Sequence, residues 1–119
     1  AFPVWLAPLQ AVVIPVAERH HEYAARVAEQ LRAAGLRVHV DDRSEKMGYK
    51  IREAQVQKVP YMLVVGDKEV EAKSVSVRHR HAGDLGPQDV EAFAARVVAL
   101  TRERANREED KAPSGGGVT

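Results

Sequence analysis

The feature that most constrains this chain is the run Ala11-Val12-Val13-Ile14-Pro15-Val16. It is short, β-branched and free of alternation, the pattern of a strand buried on both faces. Such a strand needs helices above and below it. From Glu22 to Ala34 the pattern turns helical: Tyr23, Val27 and Leu31 recur every four residues, Ala24, Ala28 and Ala34 widen the stripe, and Gly35 stops it. Leu36-Arg37-Val38-His39-Val40 then alternates as a half-buried strand does. Residues 11–40 therefore predict a strand–helix–strand unit, and such crossovers are parallel and right-handed.

Asp41 to Gly48 is polar, and a second helix is expected from Tyr49 to about Lys58, with Ile51 and Ala54 inward. It ends before Pro60, because the residue preceding a proline avoids helical geometry. Tyr61-Met62-Leu63-Val64-Val65 reads as another buried strand closed by a turn at Gly66-Asp67-Lys68. Val75 and Val77 alternate with Ser76 and Arg78 in a shorter strand, and His79 to Gly86 is a polar connection. Pro87 is placed as the first residue of a final helix, with Asp89 and Glu91 in its opening turn and Val90, Phe93, Val97 and Leu100 as its buried face. The expected fold is one α/β domain: a mixed, largely parallel sheet of about five strands flanked by three helices. Residues 10–103 form that domain. Residues 1–9, broken by Pro3 and Pro8, are a junction, and residues 104–119, ending in Pro113-Ser114-Gly115-Gly116-Gly117, are a disordered tail.

At 119 residues the chain can bury roughly 65% of its unfolded surface, enough for one core. It has no Cys, which excludes disulfides, thiolate metal sites and a Cys nucleophile. No apolar run approaches the roughly 18–20 residues of a membrane helix, so no membrane partner is expected and the cytoplasm is the default. Because the sequence starts at Ala1 without Met, it is expected to be part of something longer. Dinucleotide-binding glycine motifs, phosphate loops and nucleophile elbows are missing. Asp41-Asp42 suggests either a phospho-acceptor or magnesium pocket, or a turn-and-cap cluster. The second weighs more, since no matching third acid is evident. His20-His21 reads as a solvated helix start, and His79 with His81 lacks the third ligand of a metal site.

The net charge of +1 conceals an uneven distribution. Residues 1–42 sum to −1, residues 43–81 to +4, residues 82–101 to −2, and the remainder is balanced. The excess lies on Arg43, Lys46, Lys50, Arg52 and Lys58, and on Lys73, Arg78 and Arg80, which the fold would bring to one edge of the sheet. A basic stripe is the electrostatic footprint of nucleic acid or simply a solvated face. Only six aromatics are present, too few for a stacking platform of the RNA-recognition-motif kind, and helix–turn–helix and zinc-finger spacings are absent.

Ser44-Glu45-Lys46-Met47-Gly48-Tyr49-Lys50-Ile51-Arg52-Glu53-Ala54-Gln55, with Lys58-Val59-Pro60-Tyr61-Met62-Leu63-Val64-Val65-Gly66-Asp67-Lys68-Glu69, closely resembles the C-terminal anticodon-binding domain of threonyl-tRNA synthetases. The likeness continues through Val75-Ser76-Val77-Arg78-His79-Arg80 and Gly83-Asp84-Leu85-Gly86. It also reaches back to Phe2-Pro3-Val4-Trp5-Leu6-Ala7-Pro8, and it covers about residues 1–100. Prolyl, histidyl and glycyl synthetases carry sister domains. The resemblance implies dimeric class II ligases whose C-terminal domain reads the G and U that end every threonine anticodon. It places the ATP, threonine and zinc sites in a catalytic domain outside this chain, leaving no cofactor, metal or catalytic residue here.

The same resemblance implies anticodon contacts at Ser44, Arg52, Lys58, Glu69 and Arg78, with auxiliary RNA contacts at Lys46, Lys50 and Arg80. Ser44 stands where the family has Asn, so one hydroxyl replaces a two-sided amide. Lys58 occupies a position that accepts Arg or Lys, as a phosphate contact would. The chemistry agrees with these roles. A splayed guanine offers O6 and N7 to an arginine fork, which suits Arg78, and its N1 and N2 hydrogens need an acceptor such as Glu69. Three further readings stand beside this one: a stand-alone interaction module that kept the fold without RNA binding, the related anticodon domain of a prolyl, histidyl or glycyl synthetase, and a phosphate-binding domain using Asp41-Asp42.

Overall fold

The computed structural model describes residues 9–111, with side chains through Arg102. Strand β1 (Ala11–Pro15) leads through a 3-10 turn (Glu18–His20) into helix α1 (His21–Ala33) and strand β2 (Val38–Val40). Helix α2 (Met47–Val56), strand β3 (Tyr61–Val65), helix α3 (Asp67–Ala72), strands β4 (Ser74–His79) and β5 (Gly83–Asp89), and helix α4 (Val90–Lys111) follow. The five-stranded sheet has the order β2-β1-β3-β4-β5. β1 pairs in parallel with β2 and β3, whereas β3–β4 and β4–β5 are antiparallel, so the sheet is evenly mixed rather than largely parallel.

Topology decides where the helices go. The step from β1 to β2 moves one way across the sheet and the step from β2 to β3 moves back over β1. Two right-handed crossovers in opposite directions put their helices on opposite faces. The two cores agree. On one face α1 (Ala24, Val27, Leu31) and α4 (Phe93, Val97) pack against Val13, Leu63, Val75 and Val77. On the other, α2 covers Val12, Ile14 and Met62 through Ala54, Met47 and Ile51, with Val59 and Leu9 beside it. Both faces of β1 are thus buried, as its unbroken apolar run requires. Phe93 is fully buried and meets the Tyr61 ring edge-on at 5.2 Å.

Three expectations need correction. Gly66-Asp67-Lys68 opens helix α3 rather than a tight turn: Asp67 and Glu69 stand in its first turn, and Gly66 N–H donates to Glu69 Oε1 at 2.8 Å. The Gly-x-x-Glu spacing is half of a capping box, and the two carboxylates complement the helix dipole. The stretch after His79 is strand β5, and Pro87 lies inside it opposite Ser76. An edge strand tolerates a proline there, and Asp89 caps α4 instead, its Oδ2 accepting Ala92 N–H at 3.1 Å. The described residues consequently hold four α-helices, not three. Helix α4 also runs on to Lys111, past the boundary at residue 103 where the sequence pattern places a tail. Residues 1–8 of the expected junction and residues 112–119 of the expected tail lie outside the described residues.

Candidate nucleic-acid interface

The loops after β1 and β2 leave toward opposite faces, and a crevice opens at their carboxyl ends, the usual ligand position in an open α/β sheet. A cleft of about 680 Å³ lies there, lined by Val16 and Glu18 from the first connection, His21 at the start of α1, and Asp42, Ser44 and Lys46 from the second loop. Ser44 and Lys46 are exposed at this mouth, and neither makes a side-chain hydrogen bond or ion pair among the described residues.

The neighbouring cations are committed to the fold. Arg43 donates from Nε and Nη2 to the two carboxylate oxygens of buried Asp41, both at 2.8 Å, and its Nη2 also bonds Glu53. These contacts, the Arg43 hydrogen bond above all, hold the Asp41 carboxyl below the usual range. Asp41 is therefore the turn element of the second loop, not an open metal pocket. Lys50, expected as an auxiliary RNA contact, is only 4% exposed, and its ammonium donates to the Asp41 carbonyl at 3.0 Å. It ties α2 to the end of β2. Arg80 is likewise engaged, with Nε donating to the Gln55 carbonyl at 3.1 Å and capping the last turn of α2.

A different set of cations remains open. At 100° per residue, Arg52 projects from the outer flank of α2 shared with Gly48 and Gln55, the flank to which Arg80 of the β4–β5 turn reaches. Arg52 is exposed and unpaired among the described residues. Arg78 pairs in register with Met62, which packs under α2, so Arg78 rises from the same face of the sheet. Val75 and Val77 fill the opposite core, leaving Ser74, Ser76 and Arg78 on this side, where β4 and β5 carry no covering helix among the described residues. Arg78 Nε is a buried polar side-chain atom with no hydrogen-bond partner among the described residues. Asp84 stands opposite Arg78 across a bulge but accepts Gly86 N–H at 2.9 Å instead. Leaving a donor orphaned costs about 1–3 kcal/mol, and no ion pair or side-chain hydrogen bond among the described residues commits this guanidinium to the fold.

Lys58 sits past the end of α2 with φ of 64°. Lys58 N–H donates to the Gln55 carbonyl and Val59 N–H to the Ala54 carbonyl, each at 3.0 Å. This is the two-bond helix stop that normally employs Gly at the left-handed position. Lys58 holds it with an exposed side chain that meets no partner among the described residues. Glu69 stands at the other end of the strands. Its Oε1 is the α3 cap, and Gly66 beside it packs so closely that an added Cβ would lie 3.1 Å from Val16 Cγ2, at the rim of the cleft. From Met62, opposite Arg78, to Val65 is about 10 Å along β3, so Glu69 and Arg78 flank the surface from two ends and do not touch.

Sequence reasoning missed a cluster beside Glu69. His20, read as solvated, is buried, its Nδ1 accepting Ala17 N–H at 3.0 Å and its Nε2 2.6 Å from Asp67 Oδ1. Arg19 donates to both oxygens of Asp67, at 3.1 and 2.8 Å. Arg19 first and His20 second pull the Asp67 carboxyl far below its ordinary value. Nothing local signals a contact across 47 residues. His79 is similarly consumed: its Nδ1 accepts the N–H groups of His81 and Ala82, both at 3.1 Å, which closes the β4–β5 turn. Burial, then the charges of His81 and Arg80, push its pKa down.

The comparisons with known proteins meet this geometry. The family model described as an anticodon binding domain matches residues 10–100. The threonine–tRNA ligase of Caldanaerobacter subterraneus subsp. tengcongensis is 57% identical over 98 residues, 82% of this chain and 15% of that protein. Among solved structures, the RNA-binding domain of threonyl-tRNA synthetase from Cryptosporidium parvum superposes with a TM-score of 0.79 at 31% identity, covering 83% of this chain and 25% of that one. Prolyl-tRNA synthetase from Cryptosporidium parvum gives 0.74 at 29% identity, covering 85% and 22%. The chain thus spans about one-sixth of the curated relatives' length. Its sheet, its open basic face and these matches together show that the chain belongs to the anticodon-binding domain family of the aminoacyl-tRNA synthetases.

Proposed function

We propose that this chain is the anticodon reader of a threonine–tRNA ligase, holding the G and U of the threonine anticodon so that a longer parent enzyme charges the cognate tRNA. The observation that carries the reading is that Arg78 stands on a sheet face with no covering helix among the described residues and has no partner there for its Nε. Its two outer guanidinium nitrogens can face O6 and N7 of a splayed guanine. Glu69 supplies the acceptor for the N1 and N2 hydrogens through Oε2, its Oε1 being the helix cap. Lys46, Arg52 and Lys58 are the phosphate cations, and Ser44 is a base contact at the cleft.

The shared fold does not choose among synthetase branches. The higher identity to threonine–tRNA ligases than to the prolyl enzyme supports the threonyl branch. In this reading ATP, threonine and zinc, and the contacts of a homodimer, belong to the rest of a cytoplasmic parent. The chain alone binds tRNA and forms no aminoacyl-tRNA.

The test is binding of a threonine-anticodon RNA stem-loop to the wild-type chain and to Arg78→Ala. Three free cations give a log–log salt slope of about −2 to −3. Arg78→Ala should weaken the cognate loop by about 1–3 kcal/mol and should weaken a loop with its guanine replaced far less. Equal losses for both loops would reduce Arg78 to a nonspecific cation. No binding at low salt would refute the assignment.

A further inference from the structure

The β1 loop clasps the start of α3 at three points. Val16 N–H donates to the Val65 carbonyl at 2.9 Å, the Val16 side chain abuts Gly66, and Arg19 and His20 grip Asp67. Asp67 is the first residue of α3 and Glu69 the third. Because a backbone N–H donates to Nδ1 of His20, the neutral ring carries its hydrogen on Nε2, and that hydrogen goes to Asp67. His20 is 3% exposed, whereas the Asp67 side chain is 68% exposed. One side of this contact is therefore anchored in the fold and the other belongs to the surface that meets the ligand.

We propose that His20, acting through Asp67, is a positioning residue for Glu69: it fixes the rotation of the first turn of α3, so that Glu69 Oε2 faces the base while Oε1 caps the helix. The inference rests on the reading of Glu69 as guanine acceptor. A helix of six residues whose own core contacts are few has little to hold its first turn in register. The buried imidazole supplies that constraint from the 3-10 turn that follows β1. Arg19 adds charge to the same carboxylate, but on long, exposed side chains that fix direction poorly.

The test separates the guanine contacts by base analogue. Inosine lacks only the 2-amino group and reports on Glu69, and 7-deazaguanine lacks only the N7 acceptor and reports on Arg78. Stem-loops with guanine, inosine or 7-deazaguanine at the anticodon guanine are titrated against the 119-residue chain and its variants. His20→Leu and Asp67→Ala should each lower the guanine/inosine affinity ratio about three- to tenfold, the effect of one misaligned hydrogen bond, and leave the guanine/7-deazaguanine ratio unchanged. His20→Gln, whose amide can both accept from Ala17 and donate to Asp67, should restore the guanine/inosine ratio. Asp67→Ala is a surface change, so a folding defect in His20→Leu does not decide the matter. The proposal is overturned if both variants keep the ratio, or if all three loops weaken alike. A Glu69→Gln control that leaves the guanine/inosine ratio intact overturns the underlying assignment of Glu69 itself.

Discussion

Replacing Lys58 by Gly should make the protein more stable and a poorer RNA binder. A non-glycine residue in the left-handed region costs roughly 1–2 kcal/mol, and Lys58 is held there at φ 64°. Glycine removes that cost but adds about 0.4–1 kcal/mol of chain entropy to the unfolded state. The net is a gain of about 0.5–1 kcal/mol, or a rise in Tm of about 2–6 °C for a domain of this size. No offsetting loss is expected, because the two backbone bonds of the stop use only main-chain atoms and the lysine side chain is unpartnered among the described residues. On the RNA side, deleting one phosphate cation should reduce the magnitude of the salt slope by about 0.7–0.9 and weaken all loops alike, whatever their sequence. Thermal melts and salt-dependent titrations of Lys58→Gly and Lys58→Arg read both quantities, with the arginine variant expected to match wild type in each. A Lys58→Gly protein that melts lower than wild type would refute the strain argument. One that melts higher yet keeps its affinity and salt slope would make Lys58 an ordinary surface residue.

Other expectations follow from single contacts. Phe93→Ala empties a fully buried position against Tyr61 and should cost about 3–5 kcal/mol by denaturant titration. Asp41 and Asp67 are held below the ordinary carboxylate range, each chiefly by a hydrogen-bonded arginine. Their contribution to stability is fully present above the unfolded Asp pKa of about 3.9 and is lost as pH falls below it, so Asp41→Asn should flatten the acid limb of a Tm-versus-pH curve. His79 has a depressed pKa, so the unfolded chain takes up its proton first. Stability is lost as pH falls below the unfolded value of about 6.5, and hydrogen exchange at the amides of His81 and Ala82 should accelerate over that interval. Lys50→Ala should lower Tm without changing the salt slope of RNA binding, because its ammonium is spent on the Asp41 carbonyl; a reduced slope would return Lys50 to the interface.

What the sequence made legible was set by periodicity. The buried run at β1, the stripe of α1 and the strand at Tyr61–Val65 each bury a face wide enough to dominate local pattern. Helix α3 was hidden because it buries no residue fully and so leaves no stripe; only the Gly66-to-Glu69 capping spacing announces it. Strand β5 was hidden because Gly83, Gly86 and Pro87 read as turn and helix-start chemistry, while its edge position allows all three. For the proposed interface, charge counting singles out a segment but not which of its charges are free. Lys50 and Arg80 carry the same formal charge as Arg52 and Arg78, and only the packing of Asp41 and the end of α2 separates committed cations from open ones.

The two edges of the sheet share one property. β2 offers three residues, and β5 contains a proline, two left-handed glycines and a bulge against its neighbour. Neither described edge presents the long, regular row of donors and acceptors that another chain could add to. The domain can therefore leave one face of β4 and β5 without a covering helix among the described residues and still not invite backbone pairing between copies. Association through the described strands is confined to side-chain surfaces, and Pro87→Thr is the substitution that would begin to lift that protection.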